Sequence, residues 1–117
     1  MIKNYNKEGN MIFLDDKRMI MVDLYNQLSD MNLCKTRYDF SSHWLNRSKR
    51  YYSSVINENR SVSIEPLMNA IVRMKVLSDQ CRCSMNPLLN AKSDKLDVIR
   101  VHIQDDLTKY LLSRYTD

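Results

Sequence analysis

The chain is poor in the residues that interrupt regular structure and in long apolar runs. Its 117 residues include one glycine and two prolines, so it offers few of the tight turns on which β-rich folds depend. No run approaches the roughly 18 apolar residues that a membrane-spanning helix needs. The apolar patch MIFL near the N-terminus is too short for the core of a signal peptide. These scarcities predict an all-α, cytoplasmic protein that does not enter a membrane.

Cysteine and histidine are also scarce, and their spacing argues against a metal, a cofactor or catalysis. Cys34, Cys81 and Cys83 are odd in number, which suits a reducing compartment. The Cys81–Cys83 pair has no second pair or histidine cluster beside it, so we expect incidental thiols and no zinc. His43 and His102 are isolated in the sequence and are expected at the surface. With no glycine-rich phosphate loop and no nucleophile–histidine signature, we expect neither an enzyme nor a small-molecule substrate.

Apolar residues recur at intervals of three and four, which is the period of an amphipathic helix. Four to six helices are expected, in a domain over residues 16–83 that follows a flexible segment, 1–15, and precedes a helical extension, 84–117. Asp39 and Ser48 are the expected N-caps of two short helices, and Asn46 between them suits a left-handed turn. Pro87 is expected to mark a boundary. The predicted helices cover residues 16–32, 38–45, 48–57, 63–77 and 94–115.

Positive charge is concentrated in the middle of the chain. Residues 35–60 carry six basic and two acidic side chains, a balance of +4, and residues 61–93 carry four and two, a balance of +2. Residues 1–34 and 94–117 each carry four basic and five acidic side chains, a balance of −1. A localised basic segment is typical of a nucleic-acid binder. A solvated helix face is the alternative explanation.

Two short helices joined by a few residues, the second of them basic on its outer face, make a helix-turn-helix. In such a motif the second helix enters the major groove of DNA and meets the base edges. Here the motif is carried by Ser42, by LNRS at 45–48, by YS at 52–53 and by NRSVSIE at 59–65.

This pattern resembles the lambda-repressor-like (Cro/XRE-type) helix-turn-helix family over residues 24–77. Asn46, Glu58 and Val62 stand where the family has glycine, glycine and proline. The resemblance implies an all-α domain that binds double-stranded DNA, usually as a dimer and in a regulatory role.

Position by position, the resemblance implies which residues meet DNA. The base-reading candidates are Lys49, Arg50, Ser53 and Ser54, and Asn57 joins them because asparagine can pair with adenine. The candidates for the DNA backbone are Ser41 or Ser42 and Arg60 by resemblance, Arg37 and Arg47 by charge alone, and Tyr51, which is equally suited to packing. Trp44 and Tyr52 are expected in the core.

The C-terminal helix carries an apolar stripe of its own. Its spacing of three and four is close to that of a coiled-coil seam. The stripe can pack back on the first helix or pair with a second copy, and we favour a dimer because one recognition helix by itself gives little specificity. The acidic neighbours Asp105 and Asp106 face different directions on a helix and are expected to be solvated. The stripe consists of Leu96, Ile99, Ile103, Leu107 and Tyr110.

The sequence therefore predicts a dimeric, sequence-specific DNA-binding regulator, with a repressor as the leading form. An antitoxin, phage accessory factor or inhibitor that binds an acidic protein through the same basic face is the alternative. A structural adaptor assembled through the C-terminal helix, without nucleic acid, is a third and weaker possibility.

Overall fold

The computed structural model describes residues 2–5, 11–14, 16–58 and 61–113. The all-α class is confirmed, and residues 16–58 and 61–113 are folded as helices joined by short connections. They are preceded by an antiparallel hairpin of β1 (Ile2–Tyr5) and β2 (Met11–Leu14), inside the segment predicted to be flexible. None of the helices in the described part of the chain has the length and apolarity to cross a membrane.

The helices before Leu45 begin and end close to the predicted residues, whereas each helix after it departs from the prediction at its start or at its end. Helix α2 (Arg37–Asp39) continues without a break into a π-helical segment, Phe40–Trp44, and these two pieces together form the first helix of the predicted motif. The elements are α1 (Asp16–Asp30), α2 (Arg37–Asp39), α3 (Tyr51–Asn57), α4 (Ile64–Arg82) and α5 (Pro87–Ser113).

Asparagine ends two of these helices in the left-handed conformation. Asn32 has φ 58° and Asn46 has φ 56°, so the turn predicted at Asn46 is confirmed. After α1, the Asn32 N–H donates to the Ser29 carbonyl at 3.0 Å and the Leu33 N–H donates to the Leu28 carbonyl at 2.9 Å. These two bonds satisfy carbonyls that the helix end would otherwise leave without partners, and they stop α1 close to its predicted end.

Helices α4 and α5 are both longer than predicted. Helix α4 continues past Leu77 to Arg82, and α5 begins at Pro87, seven positions before the predicted start at Asp94. Pro87 is the first residue of α5, where a missing N–H costs nothing. The Asn86 Oδ1 accepts from the Leu88 N–H at 2.9 Å and caps the helix. Pro87 therefore starts a helix at the boundary that it was predicted to mark.

The apolar stripe of α5 is buried within the protomer. Leu96, Ile99, Ile103 and Leu107 are 0%, 3%, 0% and 4% exposed, and Tyr110 packs half-buried against the same core. Helix α5 packs against α4 and α1. The assignment of these side chains to a dimer interface is therefore wrong, because they are already covered by the chain's own helices. The stripe packs back within the protomer, against the first helix as the alternative held, but also and more extensively against α4.

A polar network joins α4 to α5 beside this core. The buried Ser78 Oγ donates to the Asp97 carboxylate at 2.6 Å and lies 2.9 Å from the buried Ser93 Oγ. Arg82 and Arg100 both form ion pairs with the same carboxylate. The Ser78 hydrogen bond, with help from both guanidinium groups and against the effect of partial burial, lowers the pKa of Asp97 to about 2. The ionised form of Asp97 thus stabilises the packing of α4 on α5.

This lowered pKa predicts a loss of stability in acid that depends on one residue. A carboxyl whose pKa falls on folding stabilises the protein above its unfolded pKa, near about 3.9. That stabilisation is lost as the pH falls toward about 2. We expect the free energy of unfolding, measured with urea between about pH 5 and pH 2, to fall less steeply in Asp97→Asn than in the wild type. Asp105→Asn, a change at an exposed carboxyl eight positions along the same helix, should keep the wild-type slope, and equal slopes in all three proteins would contradict the assignment.

Candidate nucleic-acid interface

Three aromatic rings hold α1, the first helix of the motif and α3 together. Tyr25 of α1 lies 5.1 Å from Phe40 and 4.9 Å from Tyr52, and Phe40 and Tyr52 meet edge to face at 4.9 Å between centroids. Such pairs stabilise by about 0.5–1.5 kcal/mol beyond the area that they bury. Burial raises the pKa of Tyr52 to about 12. Tyr52 and Trp44 are 2% and 4% exposed, so their predicted place in the core is confirmed.

Ser41 connects the two helices of the motif. Its side chain is fully buried, and its Oγ donates to the Arg37 carbonyl at 2.9 Å while accepting from the Tyr52 N–H at 2.9 Å. The second bond satisfies an N–H in the first turn of α3, where no helical partner exists. Ser41 therefore orients α3, and its prediction as a contact to the DNA backbone is wrong because DNA has no access to a buried hydroxyl.

The turn between the two helices is held by backbone bonds and by α4. The Leu45 N–H donates to the Phe40 carbonyl at 3.0 Å and the Arg47 N–H donates to the Ser41 carbonyl at 2.8 Å, around the left-handed Asn46. From α4, the Asn69 Nδ2 donates to the Leu45 carbonyl at 3.0 Å. These three bonds fix the path of the turn that leads toward α3.

The N-caps of both motif helices differ from the prediction. Thr36, rather than Asp39, caps α2, because its Oγ1 accepts from the Asp39 N–H at 3.0 Å. Helix α3 begins at Tyr51, three residues after Ser48, and the Ser48 carbonyl accepts from the Tyr51 N–H at 3.0 Å. Lys49 and Arg50 therefore lie in the turn that leads into α3, and Arg50 is its N-cap.

Four of the five predicted base-reading residues line one groove. Arg50, Ser53, Ser54 and Asn57 follow each other at intervals of three, one and three, which places them on one face of a helix. They line a groove of about 300 Å³ together with Tyr38 and Glu58. Lys49 is exposed beside Arg50 but does not line the groove.

Glu58 introduces a negative charge at the far end of this groove. The Ser54 Oγ donates to the Glu58 carboxylate at 2.8 Å, so the hydroxyl of Ser54 is engaged within α3. A free carboxylate on this face would repel phosphate. Glu58 stands where the helix-turn-helix family that the sequence resembles has glycine, so the added charge could be predicted from the sequence. The hydrogen bond from Ser54 to Glu58 could not.

The predicted backbone contacts fall into two groups by exposure. Arg37 is exposed, with its guanidinium carbon 5.8 Å from the centroid of the Tyr52 ring. Ser42 and Arg47 are half-buried: the Ser42 Oγ donates to the Tyr38 carbonyl at 3.0 Å, and Arg47 lies 3.6 Å from the Glu65 carboxylate. Tyr51 is half-buried and packs against the core. Arg60 lies outside the described residues.

A second group of polar side chains lies between α1 and α5, where the sequence predicted only solvated residues. His102 and Asp106 of α5 meet Asp23 of α1. The pairing of His102 with Asp106 at a separation of four could be read from the sequence. Asp23 precedes His102 by 79 positions, and no local pattern indicates that they meet.

Comparison with known proteins identifies a family without assigning an activity. No curated protein matches the chain, and no solved structure does. One family model, described as a family of unknown function (DUF6626), matches residues 21–114. That match runs from α1 to the end of α5 and includes the motif, the groove and the polar network. The chain therefore belongs to the DUF6626 family.

Proposed function

We propose that this protein is a double-stranded DNA-binding regulator of transcription, most simply a dimeric repressor, which reads the major groove with α3 and the turn before it. The observation that carries the proposal is the groove that Arg50, Ser53 and Asn57 line together, with Arg50 and Asn57 exposed and Ser53 half-buried, while Tyr52 and Val55 of α3 are buried. An α-helix fits the major groove, and these side chains are suited to hydrogen bonding with base edges.

The surroundings of the groove support an anionic partner. Lys35, Arg37, Lys49 and Arg50 are all exposed on the two helices of the motif and the segments that precede them. Arginine and lysine near a recognition helix bind phosphate without regard to sequence, which brings the helix to DNA. The carboxylate of Glu58 opposes this attraction and keeps its charge although it accepts a hydrogen bond from Ser54, but the four cations outnumber it. On balance the face is basic.

Within this proposal, each predicted residue has a more specific role than the sequence alone indicates. Arg50, Ser53 and Asn57 read bases, Lys49 and Arg37 contact the DNA backbone or the neighbouring bases, and Ser54 mainly holds Glu58. Arg47 serves the fold more than the DNA because it lies beside Glu65 and donates to the Asn46 carbonyl at 3.1 Å. A dimer remains part of the proposal because two recognition helices read an inverted repeat, but it must use a surface other than the α5 stripe.

The first test is selection of bound sequences from random duplex DNA with the full chain. We expect enrichment of a defined sequence, with an inverted repeat if the protein binds as a dimer. Recovery of no preferred sequence, together with no binding to nonspecific duplex, would overturn the proposal and leave an acidic protein as the better partner for this face.

A pair of variants then tests the role of the groove on the selected sequence. Arg50→Ala should weaken binding by about 1–3 kcal/mol and relax the preference at one base pair, because it removes a side chain able to bond two groups on one base. Lys95→Ala removes one positive charge from an exposed site on α5 and should change affinity little and preference not at all. Binding curves and selection profiles that coincide for the two variants would show that Arg50 does not read bases.

A further inference from the structure

Asp23, His102 and Asp106 bring three potential metal ligands together between α1 and α5. The His102 Nε2 lies 3.1 Å from one oxygen of Asp23 and 3.4 Å from one oxygen of Asp106. All three donor atoms lie within 4.8 Å of one another. This cluster is separate from the groove at α3 and shares no residue with it.

The two separations from His102, 3.1 and 3.4 Å, are close to those of ligands around a shared ion. Zinc binds imidazole nitrogen and carboxylate oxygen at about 2.0–2.2 Å, so two of its ligands in a tetrahedral arrangement lie about 3.3–3.5 Å apart. One Nε2 proton can point at only one carboxylate at a time with good geometry. Two neighbouring carboxylates also repel each other, and a divalent cation among them compensates both charges at once.

The cluster is held in place by the packing beneath it and by one outer hydrogen bond. Leu24 follows Asp23 and Ile103 follows His102, and both apolar side chains are fully buried in the core shared by α1 and α5. The Gln27 Nε2 donates to the Asp23 carboxylate at 3.0 Å, as outer partners of metal ligands commonly do. His102 remains half exposed, its side chain 52% accessible, so an ion can enter from solvent.

We propose that Asp23, His102 and Asp106 bind one divalent transition-metal ion, with zinc as the best match, and that the ion clamps α1 to α5. A set of one imidazole and two carboxylates suits zinc and its first-row neighbours, whereas calcium and magnesium prefer all-oxygen sites. Three protein ligands leave a fourth position for water. The clamp would join two elements that are distant in sequence, so binding and the stability of the fold are linked.

The test is calorimetric titration of the full chain with Zn²⁺. Cys83→Ser serves as the parent because Cys83 is an exposed thiol able to bind the same ion. We expect one Zn²⁺ per chain and a rise in the melting temperature. His102→Ala should abolish both effects, and Gln27→Ala should weaken binding about tenfold to a hundredfold through the lost outer bond. His43→Ala is the matched control, since His43 pairs with a single carboxylate, Asp39, at 2.6 Å, and it should bind as the parent does.

Cobalt supplies an independent readout of the ligands. Co²⁺ bound to imidazole and carboxylate lacks the strong thiolate charge-transfer absorption that cysteine ligation produces. We expect the visible absorption bands of bound Co²⁺ without the thiolate absorption, and we expect His102→Ala to lose these bands. Circular dichroism should show that this variant is folded. Absence of stoichiometric Zn²⁺ binding in the parent, equal loss in His102→Ala and His43→Ala, or a thiolate spectrum would each overturn the proposal.

Discussion

Ile103→Asp is expected to unfold the protein. Ile103 is 0% exposed on α5 and lies in the core that α5 shares with α1 and α4. The substitution removes an apolar side chain whose burial contributes about 1.5–3 kcal/mol, and it buries a carboxylate in an apolar core. The second effect costs several kcal/mol more or forces the helix away from the core. Together these losses are comparable to the whole stability of a domain of this size, about 5–15 kcal/mol.

The measurement is urea unfolding followed by helical circular dichroism, with sedimentation of whatever remains folded. Val101→Asp is the matched control, because Val101 lies two positions away on the same helix and is 48% exposed. It should stay folded and lose less than about 1 kcal/mol, as surface changes usually do. If Ile103→Asp instead stays helical, unfolds cooperatively and changes only from dimer to monomer, the α5 stripe pairs with a second copy of the chain.

Binding to duplex DNA is expected to weaken by about a thousandfold when the salt concentration rises from about 50 to 200 mM, if a dimer neutralises about six phosphates. The expectation follows from the concentration of positive charge around α3, where Lys49 and Arg50 are exposed with Arg37 nearby. Each neutralised phosphate releases a counterion, so the logarithm of the affinity falls linearly with the logarithm of the salt concentration.

Fluorescence anisotropy of a labelled duplex at several salt concentrations measures this slope. Lys49→Ala should reduce it by about one contact per protomer, whereas Lys95→Ala on α5 should leave it unchanged. An affinity that stays flat across the salt range would remove DNA as the main partner. Comparison of the two variants separates contacts at the proposed face from the general effect of net charge.

Local chemistry accounts for the parts of the fold that were predicted well. The periodic apolar residues of α1 and the left-handed Asn46 depend on neighbours within a few positions, and both are found as expected. The exposed face of α3 was likewise predictable, because burying Tyr52 and Val55 turns Ser53 and Asn57 outward. The start of α3 was misjudged, since Ser48 followed by lysine suits a turn as well as a helix cap.

The sequence by itself determined that this protein is helical, which helix faces are apolar, and that net positive charge is concentrated in residues 35–60. Only the tertiary structure decided what covers each apolar face, and it assigned the α5 stripe to the protomer's own core. Tertiary structure also made Ser41 a link to Tyr52 and brought His102 to Asp23. The physical reason is range: helix periodicity and capping act over a few residues, whereas the partner of a buried or polar side chain depends on which distant segments pack together.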